Sequence, residues 1–198
     1  MTAMLAHDPD PSGFTTSALP SSEALALIRA SPAELERAFQ RGATPALGAL
    51  LGWEFRGLNA TPRGLPPIAR LAGIQKFIKG MFADGDGRAM GYNTPVAQNA
   101  LDGRWTTRPG APKRFGFYTI APVDPTARDN RYLHALLLDY GRGGNPARDV
   151  SRGLRDYLVA LTPDRYLGKA YYALGAVRVP AGFFVLERWR EAQLPVER

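Results

Sequence analysis

The 198 residues predict a mainly β (α+β) protein, an antiparallel β-barrel or sandwich of about seven or more strands, with N-terminal helices and one inserted helical segment. Three observations carry that prediction. From residue 48 onward the chain breaks into short segments rich in aromatic and branched residues, punctuated by Gly, Pro, Asn and Asp. Most of these segments have no helical stretch between them, and a parallel sheet needs one at each crossover. The best helix signal in the chain lies ahead of all of them.

Residues 1–20 carry Asp-Pro-Asp-Pro, Ser-Gly and Ser, Thr and Pro clusters, and read as a flexible lead to a single globular domain over 21–198. The helical part of that domain spans 21–47 and its β-rich body spans 48–198. Ser21 or Ser22 can cap a short first helix through Ala24, Leu25, Leu27 and Ile28. In the next segment, SPAELERAFQRG, Ser31 is the N-cap, Pro32 suits the first helical position and Glu34 completes a capping box. Leu35, Ala38 and Phe39 share one face and Gly42 supplies the stop, so this face is expected to pack on the body, plugging or covering one end of it.

Strands are expected near 49–59, 87–96, 114–121, 132–140, 155–161, 167–174 and 179–189. Between the first two, LPPIARLAGIQKFIKGMFA (65–83) reads as helical. Ile68, Leu71, Ile74, Phe77, Ile78 and Phe82 recur at three- and four-residue steps there, leaving Arg70, Lys76 and Lys79 to face solvent. Residues 147–161 admit two readings. Val150, Leu154, Tyr157, Leu158 and Leu161 have helical spacing, whereas TPDR at 162–165 connects two strand-length segments as a hairpin. The hairpin is the preferred reading, with room for a short helix at 147–154. The bend in LLLDYGRGGNP (136–146) lacks the third glycine of a dinucleotide fingerprint, and no Gly-Lys-Ser/Thr of a phosphate loop occurs in the chain. It reads as a tight turn.

The net charge of +7 raises the possibility of a nucleic-acid partner, but the basic residues are spread thinly and do not interleave with aromatics along one element. The bias to Arg over Lys, with abundant Ala, Gly and Pro, instead suggests the codon usage of a GC-rich bacterium. No apolar run is long enough for a membrane-spanning helix, and no secretion signal opens the chain. The absence of cysteine removes disulfides and thiolate metal sites and agrees with a cytoplasmic protein. No cofactor motif is found.

His7 lies in the lead, which leaves His134 without a His or Cys companion, so no metal site is expected. His134 and Asp139 are the candidate catalytic acid and base, both placed in the 132–140 strand, where their five-residue separation sets them on opposite faces. Polar residues in otherwise apolar strands are the better sign of a binding pocket. Tyr92 and Asn93, with Gln98 and Asn99 downstream, can set a phenol and amides around a cavity. Lys169 and Tyr171 share one strand face, and so do Phe184, Leu186 and Arg188.

GWEFRG near the start of the body resembles the opening Gly-x-Trp region of the calycins, the lipocalin and fatty-acid-binding barrels, and FFVLERWR resembles their closing strand. The chain departs from that pattern in having Gly52 adjoin Trp53, and in its extra helices. The resemblance implies that Trp53 and Arg188 pair at the closed end of a barrel whose cavity takes an apolar ligand. The expected function is therefore binding of a small, largely apolar molecule, with or without an acidic group, held by Trp53, Tyr92, Asn93, Lys169, Tyr171 and Arg188. Two alternatives are a metal-independent isomerase, cyclase or hydrolase using the same cavity, and a protein interaction module.

Overall fold

Eight antiparallel strands follow one another around a closed barrel, each pairing with the next and the last pairing with the first. The structure is a computed structural model and describes residues 19–60, 74–106, 114–193 and 196. The strands are β1 (Trp53–Ala60), β2 (Lys76–Ala83), β3 (Ala89–Pro95), β4 (Phe115–Pro122), β5 (Leu136–Asp139), β6 (Leu154–Ala160), β7 (Arg165–Leu174) and β8 (Val177–Glu191). The closing seam runs from Trp53 opposite Glu191 to Ala60 opposite Phe183. All seven expected strands are present. The β6–β7 hairpin turns through residues 161–164, and within 147–161 the helical content is the 3-10 segment Val150–Gly153, capped by Asp149.

β2 was expected to be the end of a helix. Its residues pair with β1 on one side and β3 on the other, while 65–73, with Arg70, lie outside the described residues. The helical spacing misleads because both faces of β2 are covered, which erases the polar alternation that marks a half-buried strand. Phe77, Lys79 and Met81 turn inward, while Ile78 and Phe82 are buried on the outer wall. Lys76 and Lys79 do not face solvent. Lys76 is wholly buried beneath the 97–106 connection, where its ammonium donates to Asn99 Oδ1 at 2.6 Å and to the carbonyls of Ala100, Gly103 and Arg104, 4.2 Å from the Trp105 ring.

An eight-stranded barrel has an interior just wide enough to be filled by side chains or to hold one small ligand, so large inward residues need small ones opposite. Gly57 faces Phe77 and Gly168 faces Phe184, and a Cβ on either glycine would lie within about 2.1 Å of the opposing ring. Phe55, Met81, Tyr118, Ile120, Leu136, Leu138, Leu158, Tyr166 and Leu186 complete this inner core.

Helix α1 (Ser22–Arg29) is capped by Ser21, and α2 (Pro32–Arg41) opens on the full Ser31–Glu34 capping box. They do not plug an end of the barrel. They lie against its outer wall, α1 on β1 and β8 and α2 on β7, where Ala24, Leu35 and Phe39 bury among Leu58, Val159, Leu167 and Val185. Ser21 ties this layer to the wall by donating from N and Oγ to the carboxylate of Glu187.

The connection between β4 and β5 is pinned by Asp129, which accepts from Arg178 Nε at 2.5 Å, Arg178 Nη2 at 3.1 Å and Arg155 Nε at 3.3 Å. Burial pushes the Asp129 carboxyl up, but the hydrogen bonds and charge of Arg178, with those of Arg155, outweigh it and hold the group below the usual carboxylate range. A carboxyl with a lowered folded pKa stabilises the fold above its unfolded value, near 3.9, and loses that contribution as pH falls through the folded value. Asp129→Asn is therefore expected to be less stable than the parent at neutral pH, with the gap closing below about pH 3.9. Urea unfolding at several pH values measures that difference, and a gap independent of pH would contradict it.

Candidate functional site

Strand register decides which polar side chains enter the barrel. Lys79 sits between inward Phe77 and Met81, and pairs with Asn93 of β3. Leu138 of β5 pairs with Asp156 of β6, which places that carboxylate on the same inner surface. Tyr140, in the 3-10 turn that follows β5, brings its hydroxyl to the same point.

The four side chains form one buried network. Lys79 donates to Asp156 Oδ2 at 3.2 Å, to Asn93 Oδ1 at 3.1 Å and to the Tyr140 hydroxyl. Tyr140 in turn donates to Asp156 Oδ2 at 3.1 Å, and Asn93 Nδ2 donates to the Gly116 carbonyl at 2.9 Å. Aromatic rings enclose the ammonium, with centroids at 4.6 Å for Tyr118, 5.0 Å for Tyr140, 5.2 Å for Phe184 and 5.6 Å for Phe77. Lys79 is 2% and Asp156 3% exposed. Burial lowers the Lys79 pKa against the opposing effect of Asp156, and burial raises the Asp156 pKa against that of Lys79 and Tyr140. Both groups are thus driven toward their neutral forms.

The network is not fully satisfied. Asp156 Oδ1 is buried without a hydrogen-bond partner, and so is Ser151 Oγ in the 3-10 turn that leads into the same strand. Asn93, Gly116, Tyr140 and Ser151 all lie at the end of the barrel where β3 leads into β4 and β5 leads into β6. Across the sheet from Asp156 the inward positions are small: Ala170 is its partner on β7, and Gly182 is the partner of Ala170 on β8. Both are only half-buried.

Of the binding residues expected from the sequence, Asn93 belongs to this network. Trp53 and Arg188 meet as the resemblance implied, at the opposite end, with the guanidinium 5.0 Å from the indole and Nη2 donating to the Ala49 carbonyl at 2.7 Å. Tyr92, Lys169 and Tyr171 are on the outer wall. The Tyr92 hydroxyl donates to Glu54 Oε1 at 2.8 Å under the Arg114 guanidinium. Lys169 and Tyr171 do share a face, but it is the one covered by α2 and the 123–135 connection, where Lys169 donates to Glu36 Oε2 and to the Tyr132 hydroxyl, each at 2.6 Å. Gln98 and Asn99 bind the β2 backbone and the Lys76 ammonium, away from the interior.

His134 and Asp139 form no pair. His134 precedes β5 in a turn, because residues 131–135 bend to pack Tyr132 against Phe39; its Nε2 lies 3.3 Å from the Phe39 carbonyl. Asp139 faces outward and accepts from the Gly141 amide at 2.8 Å, 3.1 Å from Arg155 Nη1. Lys79, Tyr140, Asp156 and Ser151 escaped sequence reasoning. For Asp156 the signal was present, a lone carboxylate inside LRDYLVA. For Lys79 it was hidden by the helical reading of β2.

Among the described residues, no group of three or more His, Asp or Glu side chains is placed to hold a metal ion, and no helix is long and apolar enough to cross a membrane. No family model and no curated protein matches the chain. A solved structure of a protein from Thermomonospora curvata is similar at a TM-score of 0.51 and 17% identity, over 85% of this chain and 95% of that one. At that identity the likeness shows the barrel fold alone.

Proposed function

We propose that the protein binds a small, largely apolar molecule inside a calycin-like barrel, with the ligand's polar head at Asp156, Lys79, Tyr140 and Asn93. The observation that carries this reading is the free Asp156 oxygen. A buried carboxylate oxygen without a donor is costly, and a ligand hydroxyl, amide or amine N–H arriving past Ala170 and Gly182 supplies the missing bond. The aromatic lining provides the apolar contact. Because the charge of Lys79 is already balanced by Asp156, the site favours a neutral donor head over an acidic one. The Trp53–Arg188 contact supports the calycin-like reading of the opposite, closed end.

Calorimetric titration with an aromatic alcohol, 2-naphthalenemethanol, tests the proposal. One site with a negative heat-capacity change is expected, weakened at least about tenfold by the double substitution Lys79→Met with Asp156→Leu, which removes both charges and so leaves neither uncompensated. No binding, or binding that the double variant leaves unchanged, would overturn the reading.

A further inference from the structure

A ligand head beside a buried amine has a second option besides hydrogen bonding. We infer that the barrel takes small apolar aldehydes or ketones and holds them as an imine of Lys79, an inference that rests on the interior-binding reading above.

The geometry supplies each part that imine formation needs. The nucleophile is an amine in a water-poor, aromatic-lined site, the setting in which lysines become reactive. A general acid stands 3.2 Å from it in Asp156, and Tyr140 hydrogen-bonds to both. Burial favours the neutral amine and the neutral acid together, so passing a proton from Lys79 to Asp156 generates nucleophile and acid in one move. Asp156 Oδ1, free of other partners, is available to the substrate oxygen.

The steps balance without an oxidant or reductant. The Lys79 nitrogen lone pair forms a bond to the carbonyl carbon, the C=O π pair moves to oxygen, and that oxygen takes the proton held by Asp156. The nitrogen then returns a proton to Asp156, the hydroxyl leaves as water carrying that proton, and the nitrogen lone pair closes the C=N double bond. Ammonium and carbonyl become iminium and water, so the charge at nitrogen is the same before and after. Asp156 is the carboxylate counter-ion of the starting ammonium and of the final iminium, and the aromatic wall keeps water from reversing the reaction.

The test incubates the full chain with 2-naphthaldehyde and cyanoborohydride, which reduces an iminium to a stable secondary amine, and maps the label by peptide mass spectrometry. The chain has four lysines, of which Lys76, Lys113 and Lys169 serve as internal controls for Lys79. One naphthylmethyl group on Lys79, in at least about tenfold excess over each of the others, is expected from general acid catalysis by Asp156. Label confined to the other lysines, or spread evenly over all four, overturns the inference. The alcohol 2-naphthalenemethanol has the same body and no carbonyl, and separates the two levels of failure. If the alcohol binds and Lys79 stays unlabelled, the imine is wrong and the binding reading stands; if neither occurs, both are wrong.

Discussion

Replacing Asp156 by alanine is expected to lower the free energy of unfolding by about 3–5 kcal/mol, because it strands the Lys79 ammonium in the barrel without a counter-charge. A buried ion pair need not itself contribute much stability. Its desolvation offsets most of its attraction, so the loss on breaking it is the penalty of an uncompensated buried charge. The double substitution Lys79→Met with Asp156→Leu removes both charges and restores apolar volume, and is expected to recover most of the loss. Urea midpoints of the parent, the single and the double variant check this. If the double variant is as unstable as the single, the pair is held for its packing and not for its charge balance.

The second large effect is expected at the glycine-rich bend. Gly143 packs against β4 so closely that a Cβ would lie 1.8 Å from the Phe117 carbonyl oxygen and 2.7 Å from the Tyr118 amide nitrogen. These are backbone atoms of a paired strand, which a rotamer change cannot move aside. Asn145 locks the approach from the other side, accepting from the Phe117 amide at 2.8 Å and donating to the Phe117 carbonyl at 2.6 Å. Gly143→Ala is therefore expected to destabilise by about 3 kcal/mol, at the upper end of overpacking costs. Gly144 has φ +77°, so its replacement by alanine meets left-handed strain of about 1–2 kcal/mol. Chemical denaturation of the two variants ranks them, and the reverse order would show that backbone conformation dominates over contact at this bend.

That bend also illustrates what was legible in advance. Its glycines and Pro146 marked a turn, which it is, but a string of letters does not say that Gly143 is required by a strand far away in sequence. Seven strands and both helices were readable because aromatic and branched runs, turn residues and the Ser31–Glu34 capping box are local signals. β2 was not, since a strand buried on both faces carries no alternation and its apolar steps imitate a helix. The interior network failed for a related reason. Lys79, Asp156 and Tyr140 come from three separate stretches of chain, and only barrel register brings them together. Lys169 and Tyr171 were correctly placed on one face, but which face lies inside depends on closure, which no single strand encodes.

Closure joins the first strand to the last, Trp53 to Glu191, so the bonds of the seam form between segments separated by nearly the whole described chain. On a ribosome β1 must wait, with one edge unpaired, until β8 has emerged. Contacts at such separation slow folding and leave a sticky edge exposed in the interval. Helix α1 touches both β1 and β8, and Ser21 holds Glu187 of β8, so the N-terminal layer spans the junction like a clasp. Its role is then a matter of timing: it is made first, waits beside the open edge, and fastens the last strand when it arrives.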